Sequence, residues 1–169
     1  MVEKHYVPMA APQFQGQHVG DGSQLSNIGS AALNPLVQQV AQVTLTAAQL
    51  IAMKTAPVNI LPAPGAGKLL VIDAITFQFK HGSTQFTGGG AVTFQYHGTS
   101  VNPHTGSVAA AVLQAATDDT EYLGPNVGGA LDLQSAINQG LEITNATAAF
   151  AAGNGTAIVT VWYSVVTLG

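Results

Sequence analysis

The sequence predicts an all-β fold, an antiparallel β-sandwich of jelly-roll type with one short helix and an extended N-terminal arm. About seven short segments alternate apolar and polar side chains, which is the period of a strand with one buried face. Turns rich in Gly and Pro separate these segments, and one segment carries a clear helix signal. This combination is typical of antiparallel sandwiches and jelly rolls. The chain has no internal repeat of fixed period, which argues against a solenoid or a propeller.

The segment Lys68–Lys80 is predicted to be the central strand. Its residues Ile75, Phe77 and Phe79 alternate with polar residues, so we expect them to face the core. The first half of the segment is apolar on both parities, which predicts cover on both sides by this chain or by a neighbour. Asp73 falls on the apolar parity, and we expect a strand edge or a β-bulge there, with backbone donors satisfying the carboxylate. The alternative for Asp73 is a functional acid.

One short helix is predicted after the first strand. Thr46 and Gln49 have the spacing of a capping box, in which each side chain accepts a hydrogen bond from the other residue's backbone amide. The helix should begin at Ala47 and end before Pro57, because the residue before a proline is pushed out of the α region. An Ala-rich stretch that Ser107 can cap is a second candidate for a short helix.

The C-terminal segment Thr156–Leu168 is predicted to be the last and longest strand, entered through a tight turn at Gly153–Gly155. Both of its faces carry apolar side chains, which predicts cover from a second sheet or from a second chain. The predicted core residues are Val43, Leu45, Leu50, Leu69, Val71, Ile75, Phe77, Phe79, Val92, Phe94, Tyr96, Leu141, Ile143, Val159, Val161 and Tyr163.

Residues 1–36 differ from residues 37–169, which we predict to form the sandwich domain. Pro and Gly interrupt every candidate helix or strand before residue 37, and single apolar residues recur there without a period. We therefore predict an extended arm that lies along a partner and binds it through isolated apolar anchors, with a disordered tail as the alternative. The predicted anchors are Phe14, Val19, Leu25, Ile28 and Leu33.

The composition excludes several classes of function. Charged residues make up 7% of the 169 residues, against about 25% in an ordinary protein, so much of the surface is expected to lie against other proteins. A net charge of -4 with four Lys and Arg in all argues against a nucleic-acid partner. The absence of Cys excludes disulfides and thiolate metal sites. No apolar run approaches the ~20 residues that span a bilayer, and no export signal is evident, so we expect no membrane partner and synthesis in the cytoplasm.

No catalytic, cofactor or metal site is predicted. The turn Gly65-Ala66-Gly67-Lys68 is similar to the end of a phosphate-binding loop, but Leu69 replaces the required Ser or Thr and a strand follows. His81 and His97 fall near the ends of neighbouring strands, where solvent-facing positions are expected and a close approach of the two is the alternative. The acidic run Thr117–Glu121 is expected to form a polar loop, with a calcium site as the alternative.

An enzyme is not expected, since the sequence has no nucleophile elbow and no evident aromatic-lined groove. Asp73, Asp132 and Glu142 lie on predicted strands, so a pair of catalytic carboxylates is the alternative. Asn145-Ala146-Thr147 fits the glycosylation pattern, which we interpret as a coincidence because no export signal accompanies it.

Three stretches together carry a resemblance to a known group of proteins. They are Val43-Thr-Leu-Thr-Ala-Ala-Gln-Leu50, Pro57-Val-Asn-Ile-Leu-Pro-Ala-Pro-Gly-Ala-Gly-Lys68, and a closing Gly153-Asn-Gly-Thr156 followed by Val161-Trp-Tyr163. In this order they resemble the small structural virion proteins of tailed bacteriophages, some of which decorate or cement the capsid. The resemblance covers about Val43 to Leu168 and leaves out the arm, so it implies nothing about the mode of attachment.

The resemblance implies a capsid decoration or cement protein that binds and stabilises the major capsid protein lattice. Such a protein is expected on the capsid surface of the virion, made in the host cytoplasm, as a homo-oligomer with a trimer ahead of a dimer. The alternatives are a tail, baseplate or head-fibre component, or a carbohydrate-binding module for host adsorption. The single Trp, which is expected to face an apolar layer, gives the carbohydrate alternative little support.

Overall fold

The structure, a computed structural model, describes residues 38–103, 106–125, 131–145 and 147–169. The predicted arm, residues 1–36, and its predicted anchors fall outside the described residues. The described residues form nine strands, two short α-helices and one 3-10 turn. In chain order the elements are β1 (Gln39–Leu45), α1 (Ala47–Ala52), β2 (Val58–Leu61), β3 (Lys68–Lys80), β4 (Thr87–Gly88), β5 (Val92–Tyr96), α2 (Ala110–Leu113), β6 (Asp119–Leu123), the 3-10 turn (Gln134–Ala136), β7 (Leu141–Asn145), β8 (Phe150–Ala151) and β9 (Thr156–Thr167).

The strands form two main antiparallel sheets and a small third sheet. One main sheet has the strand order β1-β9-β3-β6 and the other has the order β2-β7-β5, while β4 pairs with β8. The two longest strands, β3 with 13 residues and β9 with 12, pair with each other inside the four-stranded sheet. The all-β antiparallel class and the interior position of β3 are therefore confirmed, and the jelly-roll type stays a prediction.

The core lies between the two main sheets and is rich in aromatic residues. Phe77 and Phe79 of β3 and Phe94 and Tyr96 of β5 are all fully buried. The hydroxyl of Tyr96 donates a 2.6 Å hydrogen bond to the backbone carbonyl of Leu70, which ties β5 of one sheet to β3 of the other. The predicted core residues are buried except for three half-buried ones that pack against the core, which are Val43, Val71 and Tyr163.

Replacing Tyr96 with phenylalanine is expected to lower the free energy of unfolding by about 1 kcal/mol, the typical net contribution of one hydrogen bond. Burial raises the pKa of Tyr96 from 10.0 to about 12. Between these values the tyrosine ionises more readily in the unfolded chain, so the stability of the wild-type protein should fall as the pH rises through this window. Urea unfolding at neutral pH and at about pH 11 measures both effects.

The exposed Tyr122, 65% of whose surface is open to solvent, offers the matched control for this prediction. Tyr122→Phe should leave both the free energy of unfolding and its alkaline loss nearly unchanged. Tyr96→Phe should reduce the alkaline loss. Equal behaviour of the two variants would show that the link between Tyr96 and Leu70 contributes nothing to stability.

A β-bulge at Asp73 interrupts the regular pairing of β3 with β9. Ile72 and Ala74 pair with neighbouring residues of β9, which leaves Asp73 as the extra residue. The predicted bulge is confirmed. The carboxylate of Asp73 accepts a 3.1 Å hydrogen bond from the side-chain amide of Gln38, instead of the predicted backbone donors.

The bulge changes which residues of β3 face the core. Leu70 and Ile72 pair with inward-facing residues of β9 and are buried, whereas Val71 is half-buried on the opposite side of the sheet. Beyond the bulge the alternation shifts by one residue, so that Ile75 faces inward. Leu69 and Val71 therefore do not share the face of Ile75, although Leu69 is buried as predicted for the core.

The capping box of α1 is confirmed. The backbone amide of Gln49 donates to the hydroxyl of Thr46 at 3.3 Å, and the backbone amide of Thr46 donates to the side-chain oxygen of Gln49 at 2.9 Å. The fold prediction of one short helix is wrong, because the Ala-rich candidate stretch forms a second helix, α2. It follows an N-cap at Ala109, with no capping side chain, so the predicted cap at Ser107 is wrong.

Candidate interaction surface

The side of the four-stranded sheet turned away from the core is a broad uncharged surface, which we call the outer face. Because side chains alternate along a strand, the neighbours of the buried Phe77 and Val159 point to this side. Side chains of β1, β9, β3 and β6 stand there in register, and those of its central part are all uncharged, while Lys80 of β3, which pairs with Thr156, lies on the same side at one end of the surface. The outer face comprises Val40, Gln42, Thr44, Ala74, Thr76, Gln78, Thr120, Tyr122, Ile158, Thr160 and Trp162.

Large apolar side chains of the outer face are open to solvent. Val40 is 59% exposed and Tyr122 is 65% exposed, while Ile158 and Trp162 are half-buried. Aromatic residues are enriched and charged residues are depleted in the cores of protein interfaces. The outer face therefore has the composition of a surface that another protein covers, in agreement with the predicted cover for the second side of β9.

Strand β1 forms one edge of this surface. The side-chain amide of Gln42 donates a 3.1 Å hydrogen bond to the hydroxyl of Thr160, which links β1 to β9 across the outer face. Among the described residues, no strand pairs with the second edge of β1. An edge of this kind presents backbone donors and acceptors that a partner chain can use.

The other main sheet carries a small cleft built around Glu142 of β7. This carboxylate is 4% exposed, and it accepts hydrogen bonds from the side-chain amide of Gln95 at 2.7 Å and from Nδ1 of His97 at 2.6 Å. The imidazole of His97 is 67% exposed. Asn59 and Gln95 pair with Glu142 from the two flanking strands, β2 and β5. The cleft, which we call the Glu142 cleft, has a volume of about 170 Å³.

Gly140 shapes the Glu142 cleft. Its carbonyl accepts a 2.9 Å hydrogen bond from the backbone amide of His97. A Cβ atom at this position would lie 2.3 Å from the carbonyl oxygen of Leu61 and 3.2 Å from the backbone nitrogen of Ala63. The chain leaving β2 therefore approaches Gly140 more closely than any side chain allows.

A charged pair marks the far end of β3. Nζ of Lys80 lies 2.9 Å from Oδ2 of Asp118, and the other carboxylate oxygen accepts a 2.8 Å hydrogen bond from the backbone amide of His81. These hydrogen bonds, first that of Lys80 and then that of His81, lower the pKa of Asp118. The polar loop predicted for Thr117–Glu121 is wrong from Asp119 onward, because strand β6 begins there, while Thr117 and Asp118 precede the strand. Within the described ranges no three His, Cys, Asp or Glu side chains come together to hold a metal ion.

The remaining sequence candidates lie apart from one another. His81 follows β3 of the four-stranded sheet and His97 follows β5 of the other sheet. The Nδ1 atom of His81 is buried without a hydrogen-bond partner, whereas Nδ1 of His97 bonds to Glu142. Asp132 accepts a 3.0 Å hydrogen bond at the start of the 3-10 turn, outside the strand predicted for it. Asn145 is 1% exposed, and its buried amide has no hydrogen-bond partner.

The turn before Lys68 leads into a strand, as predicted. In the part of the chain that the structure describes, no helix is long and apolar enough to cross a membrane.

A solved structure shares this fold. The protein is similar to a chain of the cyanophage Pam1 capsid asymmetric unit, with a TM-score of 0.50 and 14% sequence identity. The similarity covers 92% of this chain and 98% of that chain. No family model matches the sequence, and no curated protein matches it. At this level of identity the likeness shows a shared fold over nearly the full length of both chains.

Sequence reasoning misses the Glu142 cleft as a unit. The predicted inward direction of Leu141 and Ile143 already turns Glu142 outward, and the alternation around Phe94 turns Gln95 outward in the same way. The sequence does not reveal that β5 and β7 are neighbours in the register that pairs Gln95 with Glu142. Two outward polar residues on short apolar strands are the signal that points to such a pairing.

Proposed function

We propose that the protein is a structural component of a bacteriophage virion, namely a capsid decoration or cement protein that binds and stabilises the major capsid protein lattice. The observation that carries this proposal is the likeness to a chain of a phage capsid over nearly the full length of both chains. A content of 7% charged residues supports it, because a chain so poor in charge suits a surface covered by other proteins.

The outer face is the contact surface in this proposal. Its central residues carry no charge, so covering them does not strip water from an ion, which is the main cost of burying polar surface. Val40 and Tyr122 are exposed and supply apolar area, at roughly 25 cal/mol per Å² of apolar surface buried. Over many symmetric copies, contacts of this kind add up to a stabilised shell.

The proposal extends to the assembly of the protein on the particle. The protein forms a homo-oligomer, with a trimer ahead of a dimer, on the capsid surface of the virion, and it has no catalytic, cofactor-binding or nucleic-acid-binding role. The arm, residues 1–36, attaches it to neighbouring subunits. The proposed contacts of the arm are the predicted anchors Phe14, Val19, Leu25, Ile28 and Leu33.

The copy number in purified virions tests this function. Gel densitometry is expected to give a copy number comparable to that of the major capsid protein, since a decoration protein follows the capsid lattice. A copy number many times lower would contradict the decoration role and favour a tail, baseplate or head-fibre component. Virions of a phage mutant that lacks the gene are the control, and they should release their DNA at a lower temperature than wild-type virions.

A further inference from the structure

The Glu142 cleft combines a buried acid with an apolar rim, and no part of the proposed capsid role uses it. We propose that this cleft is a receptor for an organic cation, the side chain of a lysine or an arginine on a partner protein. The inference applies to a partner of any kind and does not rest on the capsid proposal.

The charge of Glu142 calls for a cation. Of the buried polar side chains in the described residues, which are Glu142, Thr144 and Asn145, Glu142 is the one carboxylate. A buried carboxylate is costly unless it is paired. Its two oxygens offer about four acceptor positions, and the structure shows donors from Gln95 and His97. With these two donors in place, acceptor positions of the carboxylate remain for a further donor, which an ammonium or a guanidinium group supplies.

The shape of the cleft favours a single long side chain over a small-molecule ligand. Its volume of about 170 Å³ is below the roughly 300 Å³ at which ordinary small-molecule pockets begin. Glu142 and Gly140 at its base are buried, whereas Pro57 and Ala63 at its rim are exposed. A lysine or arginine has the complementary order, since an apolar stem carries a charged tip.

The amide of Asn59 adds a second polar group beside the carboxylate. It lies on β2 at the position that pairs with Glu142, and it is exposed at the mouth of the cleft. Its side-chain oxygen can accept a further hydrogen bond from an ammonium or a guanidinium group. A cation in the cleft would therefore meet acceptors on two neighbouring strands.

Titration of the full-length protein with model cations tests the proposal. The probes are N-acetyl-lysine N-methylamide, N-acetyl-arginine N-methylamide, n-butylammonium chloride and the neutral n-butanol, and the readout is the ¹H–¹⁵N NMR signals of the side-chain amides of Asn59 and Gln95. Both amino-acid amides should shift these signals saturably, and n-butanol should not. The absence of a saturable shift with either amino-acid amide would overturn the proposal. Binding of n-butylammonium alone would also overturn it, because a free amine would then fit where a protein side chain does not.

Two variants keep the outcome interpretable. Glu142→Gln preserves the size of the side chain and an acceptor for Gln95 but removes the charge, and it should weaken cation binding at least tenfold. His97→Ala removes an imidazole that is 67% exposed, so the fold should persist. Because this variant lacks the competing donor of His97, it should bind cations at least as tightly as the wild type does. Equal affinity of the wild type and Glu142→Gln would show that the shifts do not report on the carboxylate.

Discussion

Replacing Gly140 with alanine is expected to destabilise the protein by about 2 to 3 kcal/mol, the upper part of the usual range for forcing an extra group into a packed site. The added Cβ would lie 2.3 Å from the carbonyl oxygen of Leu61, and backbone atoms cannot move aside as the end of a flexible side chain can. Either the end of β2 or strand β7 must shift, and both strands carry buried residues. Urea unfolding followed by the fluorescence of the single tryptophan, Trp162, measures the change.

Gly106→Ala is the matched control for the Gly140 variant. A Cβ at Gly106 would meet its nearest neighbour, a side-chain carbon of Leu123, at 3.6 Å, which is an ordinary van der Waals distance. The same chemical change should therefore alter stability little at Gly106. If the two variants unfold at the same urea concentration, the close approach at Gly140 is not required by the fold.

Placing a lysine at Thr76 is expected to reduce binding to virions more than a hundredfold. Thr76 is half-buried within the outer face, between Thr160 on β9 and Tyr122 on β6. In the proposed contact the new ammonium group is buried without a partner, which costs about 3 kcal/mol or more, and each 1.4 kcal/mol changes affinity about tenfold. Co-sedimentation with virions depleted of this protein measures affinity and occupancy.

Ser107→Lys adds the same charge at an exposed position outside the outer face and should bind like the wild type. Unfolding in urea shows whether either lysine variant damages the fold itself. A deletion of residues 2–36 separates the outer face from the arm. If the Thr76 variant binds with wild-type affinity and occupancy while the deletion does not bind, the arm alone carries the contact and the outer face does not.

Local chemistry explains why much of the fold is predictable from the sequence. The capping box of α1 depends on two residues three positions apart, and alternation alone identifies Phe77, Phe79 and Val159 as inward-facing. The bulge at Asp73 is suggested by a polar residue on an apolar parity. Its effect on Leu70 and Ile72 is not, because a shift of one residue becomes visible only against the pairing partner.

The candidate sites depend more on long-range pairing and are correspondingly harder to predict. The outer face emerges as one surface only when β1, β9, β3 and β6 are placed in order, and β6 comes from a run that composition alone assigns to a loop. His97 and Glu142 are 45 residues apart in sequence, and the sequence alone gives no reason to bring them together. The Ala-rich stretch after Ser107 does form the second helix, α2, but its N-cap is Ala109, which has no side chain that can cap a helix.

The position of β9 between β1 and β3 has a consequence for biosynthesis. Gln42 and Thr160, which bond across β1 and β9, are 118 residues apart, so β1 and β3 leave the ribosome long before the strand that joins them. Until then the nascent chain exposes unpaired strand edges, which are sites of aggregation, and nonlocal pairings of this kind form slowly. Expression that slows translation before Thr156 should therefore favour insoluble product. In the finished protein, the edges of β1 and β3 that face each other are both paired with β9.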